Sequence, residues 1–318
     1  MKAFLLGVLD VMLRPFVLLG VPVFYVVART GIGAQLCRRF GFQPIRLHFY
    51  QPIPEYEKLT EEIFTRRQEF PGFRIEDAAV RDLLSRIGPS SAEISWPEQP
   101  SAPGTYYTTN PNFGLSSGVV LYSMIRTFGT RRVVEIGGGY SSLVSLQALE
   151  RNHGAHGFQF TCVEPFPMAW LERSLSDRTQ TCALVRSAAE STDPAVFLGL
   201  SENDILFVDS SHVSKLGSDV NFIYLQILPR LQPGVIVHIH DIYIPYEYPK
   251  VHFFGRSKIF WNEQYLLQAF LTDNPKFEIL LPGFYAQKDL QSDFRAAFPM
   301  VAQGRDRLTS SFWLRKKA

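Results

Sequence analysis

From about residue 105 the chain alternates short apolar runs with helical patterns, and this alternation restricts its fold more than any other feature. The runs are RRVVEI (131–136), GFQFTCVE (157–164), TCALV (181–185), DILFVD (204–209) and VIVHIH (235–240). Between the last two, SDVNFIYLQIL (218–228) sets Val220, Ile223, Tyr224, Ile227 and Leu228 on one helical face. Alternation of this kind predicts a parallel sheet with helices on both sides. After a helical stretch, NEQYLLQAFL (262–271), two late runs follow, FEILL (277–281) and SSFWLRK (310–316). Late strands of this sort commonly pair antiparallel at the sheet edge. The expected fold is α/β, doubly wound and mostly parallel, with seven strands.

What precedes residue 105 differs in character. At 318 residues there is room for one large α/β domain and an additional segment. The pattern suggests a membrane-attaching segment (1–40), a helical and linker region (41–104) and the α/β domain (105–318). Ala3 to Ala28 is nearly all apolar, interrupted by Asp10, Arg14, Pro15 and Pro22. A span needs about 20 apolar residues, and charges within one are costly. A soluble amphipathic or buried helix is one reading; the preferred one is a membrane-attached segment, either a tilted span or a Pro-bent helix lying in the interface. No small-residue cleavage site follows cleanly, which disfavours a signal peptide. Arg29, Arg38, Arg39 and Arg46 come next, and the positive-inside bias puts the rest of the chain in the cytoplasm.

Charge narrows the partners. Residues 1–50 hold six Lys/Arg against Asp10, a net of +5; the whole chain is +2, so the remainder is −3. Such a remainder is not expected to bind nucleic acid. Cys37, Cys162 and Cys182 are too scattered for a disulfide framework or a zinc site.

In open parallel sheets, ligands gather beyond the carboxyl ends of the strands. The first end reads EIGGGYSS, Glu135 to Ser142. Glycines here allow a tight turn and close approach of a ligand. Gly137 and Gly139 fit a dinucleotide fingerprint, but Ser142 stands where its third glycine belongs. Glu164 ends the second strand, where a carboxylate can accept both hydroxyls of a ribose. The third end, LVRSAAE, offers Ser187 near an adenine position. At the fourth, ILFVDSSH places Asp209 at the tip and His212 three residues on; at the fifth, His240 and Asp241 follow His238. In a continuing strand His238 and His240 share a face while Asp241 points to the other, so the three meet one ligand only if the strand breaks at His240. His212 and His240 suit a general base near neutral pH. His238, deeper in the strand, reads as structural.

The E-x-G-x-G of Glu135, Gly137 and Gly139 resembles the first motif of class I S-adenosylmethionine-dependent methyltransferases. ILFVDSSHVSKLGSDVNFIYLQILPRLQPGVIVHIHD further resembles a bacterial methyltransferase family with an F-x-D-x-x-H strand end, then L-x-P-G and a strand closing in H-D. The likeness runs over about 105–318, and RLHFYQPIP (46–54) is similar to membrane-attached members. The resemblance implies S-adenosylmethionine held by Glu135, Gly137, Gly139, Ser141, Glu164, Ser187 and Asp209. Chemistry would fall to Asp209, His212, His240 and Asp241. Similarity to catechol and macrolide-sugar O-methylating enzymes implies a divalent metal on Asp209, His240 and Asp241, with His240 replacing a carboxylate. An imidazole there favours Mn, Fe or Zn over Mg. Metal-assisted transfer and metal-free transfer with a histidine base both stay open, as does a purely structural role for the histidines.

The aromatic stretch IYIPYEYPKVHFFGRSKIFW (242–261), with Lys250, His252, Arg256 and Lys258, is expected to line an acceptor pocket as a lid. By the resemblance, Tyr106, Tyr107 and Asn110 would close its other side. The expected acceptor is a hydroxyl on a sugar, glycan precursor or other small metabolite, lipid-linked if the membrane segment serves it. A nicotinamide oxidoreductase and a catalytically inactive cofactor-binding membrane protein are the rival readings.

Overall fold

The computed structural model describes residues 2–255, 258–301 and 308–318, with backbone alone for 2–8. The chain divides into two compact units, Met1–Glu61 and Glu62–Ala318.

In the first unit a single helix runs Lys2–Thr30, through Pro15 and Pro22. Its Leu9–Thr30 stretch is 22 residues long and only 6% buried, so by length and composition it could cross a bilayer. At 1.5 Å per residue those residues reach about 33 Å, against a hydrocarbon core of about 30 Å. The two charges that count against a span are paired with each other: Arg14 Nη2 lies 3.0 Å from Asp10 Oδ2, one helical turn away. A short helix, Ala34–Arg39, returns Ala34 and Cys37 onto Val27.

The second unit is built on one seven-stranded sheet. Its strands are β1 (Arg132–Ile136), β2 (Gln159–Val163), β3 (Cys182–Val185), β4 (Ile205–Val208), β5 (Ile236–Ile239), β6 (Phe277–Pro282) and β7 (Phe312–Lys316). Their order is β3-β2-β1-β4-β5-β7-β6. Neighbours β1 to β5 pair parallel, while β7 runs antiparallel to both β5 and β6. Each expected strand is present, and the late pair sits at the edge as the sequence predicts. The sheet is thus mixed, mostly parallel and doubly wound.

Period-2 alternation divides the strands between two cores. Ile205, Phe207 and Ile236 face one layer with Val120, Leu121 and Ile125. Leu206, Val208, Val237 and Ile239 face the other with Ile223 and Ile227. The helix Asp77–Ile87 buries Val80, Leu83, Leu84 and Ile87 in the first of these cores. Residues from the expected linker region therefore contribute to the α/β unit itself.

One helix departs from its expected form. Residues 219–230 pass from α (Asp219–Phe222) to π (Ile223–Ile227) to a 3₁₀ turn (Leu228–Arg230). Pro229 has no N–H to give the preceding turn, so α-helical pairing cannot continue into it.

His238 is fully buried in β5, stacked between two cross-strand neighbours. Its ring lies 4.0 Å from Phe207 and 3.9 Å from Trp313, nearly parallel to each. Register explains the stack, because Phe207, His238 and Trp313 are direct partners across β4, β5 and β7. Burial holds its pKa well below the ordinary histidine value. It is a neutral packing residue.

Candidate active site at the strand tips

The sheet order reverses between β1 and β4, where a crevice opens beyond the strand ends. Backbone bonds carry the pairing past the strands and hold the tips together. Asp209 N donates to Ile136 O at 2.9 Å, His240 N to Val208 O at 2.9 Å, and Glu164 N to Val185 O at 3.0 Å. A cleft of about 330 Å³ lies here, lined by Gly137, Glu164, Ala188, Asp209, Ser211 and Lys215 among others.

Gly137 has φ +84°, and a Cβ there would lie 1.8 Å from the Asp209 carbonyl oxygen. Its glycine is required by the neighbouring β4 tip before any ligand is considered. Gly139 is different: a Cβ on it meets nothing within 4 Å. Its N–H donates to Ser142 Oγ at 3.1 Å, so the serine that breaks the dinucleotide fingerprint holds the glycine loop instead.

Glu135 is completely buried, and Ser141 Oγ donates to its Oε1 at 2.5 Å. Ser141 is therefore engaged with the strand carboxylate. Burial outweighs that bond and pushes the Glu135 pKa up to about 8. The folded protein thus retains a proton that the unfolded chain, at the ordinary glutamate value of about 4.5, has released. Stability should fall as pH rises from about 4.5 to about 8, then level off, since the unfolded state binds fewer protons in that window. Glu135→Gln should flatten this part of the profile, a difference on the order of a few kcal/mol at pH 8. Urea unfolding of both proteins at pH 5 and pH 8 measures it; parallel profiles would show the glutamate to be ionised.

Glu164 folds back on its loop, accepting from Phe166 N at 2.7 Å. Ser187 is next to the lining residue Ala188, and its hydroxyl donates to Ala188 O at 3.2 Å.

Beyond β4 and β5 four predicted residues converge. The fifth strand stops at Ile239, and Asp241 takes a left-handed φ of +57°. That break removes the geometric obstacle in a continuous strand. His240 Nδ1 lies 3.6 Å from both Asp209 Oδ1 and Asp241 Oδ1. Ligand atoms of Asp209, His240 and Asp241 all fall within 4.8 Å of one another. On its other side the His240 ring is fixed by hydroxyls, Ser117 Oγ at 3.2 Å and Ser310 Oγ at 3.3 Å from Nε2. Ser310 Oγ also donates to Asp241 Oδ1 at 2.9 Å. Among the described residues His240 Nδ1, which is buried, makes no hydrogen bond, the two carboxylates at 3.6 Å lying beyond that reach. An unpaired buried nitrogen facing two carboxylates is the arrangement a divalent ion satisfies, and one imidazole with two carboxylates suits Mn, Fe or Zn.

His212, φ +57°, turns Nε2 to Asp209 Oδ1 at 3.3 Å and Asp241 Oδ2 at 3.6 Å. Its Nδ1 lies 2.8 Å from Oε2 of Glu263, a completely buried acid. Burial alone would lower the His212 pKa, but the Asp209 and Glu263 carboxylates outweigh it and hold it well above the ordinary value. Burial likewise pulls against Asp241 and Asp209 at His240, and the two acids again win, raising its pKa. Burial would raise the Asp209 pKa; His240 and His212 hold it far below the carboxylate range.

Glu263, Ser117 and Ser310 are absent from the sequence expectations. An acid opening a helix reads as a favourable dipole partner, and single serines carry no signal. The Tyr106 hydroxyl and the Asn110 amide both donate to Phe113 O, so these two buried side chains shape their own loop rather than close a pocket. Tyr107 meets the Tyr140 hydroxyl at 3.3 Å. In the expected lid, Ile242 to Tyr246 and Tyr248 are buried, while Lys250 and Lys258 are exposed. Arg256 lies outside the described residues.

Residues 134–242 match the model of a methyltransferase-domain family. An uncharacterized protein of Archaeoglobus fulgidus is 27% identical over 165 residues, 50% of this chain and 74% of that protein. Similar solved structures include a methyltransferase of Podospora anserina bound to S-adenosylhomocysteine. It has a TM-score of 0.40 and 16% identity, and the match covers 74% of this chain and 88% of that one. An O-methyltransferase of Bacillus cereus, also with S-adenosylhomocysteine, gives 0.38 and 12%, over 74% and 91%. A branched-chain polyamine synthase of Thermus thermophilus gives 0.38 and 13%, over 86% and 70%.

Proposed function

We propose that the chain, whose residues 134–242 match a methyltransferase-domain family, is a class I S-adenosylmethionine-dependent methyltransferase that methylates a hydroxyl. The acceptor is a sugar, glycan precursor or other small metabolite, and proton removal falls to the cluster at the ends of β4 and β5. The observation that carries this reading is the convergence of Asp209, His212, His240 and Asp241 beside the glycine loop. A hydroxyl must lose its proton on methylation, and carboxylates paired with imidazoles can receive it.

S-adenosylmethionine, when bound, supplies an electrophilic methyl on a sulfonium; Glu135, Gly137, Gly139, Ser141, Glu164, Ser187 and Asp209 are assigned to hold it. Gly139 leaves open space for close approach, and Glu164 stands where ribose hydroxyls would be accepted. Transfer by in-line displacement asks the protein chiefly for alignment. Asp209, His240 and Asp241 would hold a divalent ion, which would lower the acceptor's pKa as a Lewis acid. The buried His240 Nδ1, facing both carboxylates at 3.6 Å and making no hydrogen bond among the described residues, supports that assignment.

The Leu9–Thr30 helix supports membrane attachment, and Arg29, Arg38, Arg39 and Arg46 after it support a cytoplasmic side for the catalytic unit by the positive-inside bias. A lipid-linked glycan precursor would then be within reach of the enzyme.

Thermal unfolding of the purified full chain tests the cofactor assignment. S-adenosylhomocysteine at about 100 times its Kd should stabilise by about 2.7 kcal/mol, and NADH should leave Tm unchanged. The opposite pattern would favour the oxidoreductase reading, for which Ser142 replaces a required glycine.

A further inference from the structure

We propose that residues 38–50 are a docking surface for the anionic headgroups of a phospholipid bilayer. Arg38, Arg39 and Arg46 meet phosphates there, while Leu47, Phe49 and Tyr50 enter the interface. The proposal rests on the reading that the Leu9–Thr30 helix attaches the chain to a membrane. It adds a second point of contact, the lipid class preferred and the residues that select it.

The segment carries more apolar surface than a water-facing loop needs. Phe40, Leu47, Phe49 and Tyr50 are 76%, 63%, 73% and 81% exposed, and Phe42 and Ile45 are exposed as well. Large apolar side chains gathered in one exposed stretch mark an interaction site. Their position fits a membrane boundary. The chain turns at Gly41, φ +76°, and the Phe42 ring meets Phe24 edge-on at 5.8 Å. Phe24 precedes the helix end at Thr30 by about 9 Å of rise. The segment therefore starts beside the last turns of the apolar helix, where a span as long as the hydrocarbon core reaches the headgroups. His48, Phe49 and Tyr50 then pack ring on ring, centroids 4.2 to 5.0 Å apart. Amphipathic rings such as Tyr50 are favoured at that level, one end apolar and the other wet.

Charge identifies the occupant. The chain has no acid between Asp10 and Glu55, a stretch that holds Arg38, Arg39 and Arg46. These three face no carboxylate among the described residues: Asp10 and Glu55, the flanking acids, pair with Arg14 and Lys58. Arg38 Nη1 donates to a neutral group, Gln43 Oε1, at 3.0 Å. A second copy of the chain would set the same arginines against themselves, and like charges across an interface repel. An anionic bilayer supplies both things the segment lacks, phosphates for the guanidiniums and a boundary for the rings.

The test is hydrogen–deuterium exchange on the full chain in nanodiscs, of phosphatidylcholine alone or with a third of phosphatidylglycerol. Among the described residues the backbone N–H groups of Ile45 to Phe49 donate no hydrogen bond, so they exchange fast unless something covers them. Each arginine at an anionic surface favours docking by about fivefold, so exchange over 45–49 should slow at least about tenfold in the anionic discs. High salt should remove the difference, and so should the triple variant Arg38→Gln, Arg39→Gln, Arg46→Gln. Equal exchange in the two lipids, in a chain that inserts into both discs, would overturn the proposal and leave the helix as the anchor. A chain that enters neither disc would end the membrane reading and the proposal with it. Protection that grows with protein concentration in detergent would assign the segment to a second copy, again against the proposal. The wild-type comparison decides the matter even if the variant fails to fold.

Discussion

Asp209→Asn should lower methyl transfer by about 10²–10⁴-fold, the range typical of losing a positioned proton-transfer group. Asparagine keeps the shape of the side chain and leaves the Asp209 N to Ile136 O bond intact, so the tip of β4 should persist. It removes the negative charge that His212 Nε2 meets at 3.3 Å and His240 Nδ1 at 3.6 Å. Both imidazoles then lose part of what keeps them charged in a buried setting, and an ion held there would lose one anionic ligand. Formation of S-adenosylhomocysteine by the purified chain, with native membranes as the acceptor source, reports the rate. An unchanged rate with normal cofactor affinity would remove the cluster from catalysis.

Gly137→Ala should cost the fold about 2–5 kcal/mol. A left-handed φ of +84° penalises any Cβ by about 1–2 kcal/mol, and overpacking a tight contact adds about 1–3 kcal/mol. Here the contact is with backbone, the carbonyl oxygen of Asp209, which cannot rotate aside. Against a typical total of about 5–15 kcal/mol the loss is large. The companion Gly139→Ala should leave stability unchanged, since its backbone is extended and a Cβ meets nothing. It should instead weaken S-adenosylhomocysteine binding by occupying space that a ligand uses. Urea unfolding and calorimetry on the two variants separate these roles. Equal stability in both would show that the β1–β4 crossing tolerates a side chain.

Much of this protein is legible along the chain. All seven strands fall within a few residues of their expected places, because each is a run of β-branched or aromatic residues bounded by polar ones. The strand-tip acids and histidines are legible for a related reason. An apolar run that ends in His-Asp or Asp-x-x-His has no packing motive for its polar ending. Glu263 is illegible because its role depends on a contact 51 residues away in sequence. Ser117 and Ser310 reach His240 across 123 and 70 residues, and serine is common everywhere. Tyr106 and Asn110 mislead because polar side chains ahead of a domain look available, whereas both satisfy local backbone groups.

The sequence by itself therefore determined the architecture and the ring of strand ends where ligands collect, since hydrophobic period and strand-end polarity are local properties. It also determined that the N-terminal helix is long and apolar enough for a bilayer. Only the tertiary structure decided how the polar endings divide their work. Cross-strand register stacks His238 between Phe207 and Trp313, and the left-handed turn at Asp241 swings its carboxylate round to His240. Packing of the Glu263–Leu271 helix brings a buried acid behind His212. Those outcomes depend on which backbones become neighbours, and no local pattern encodes that.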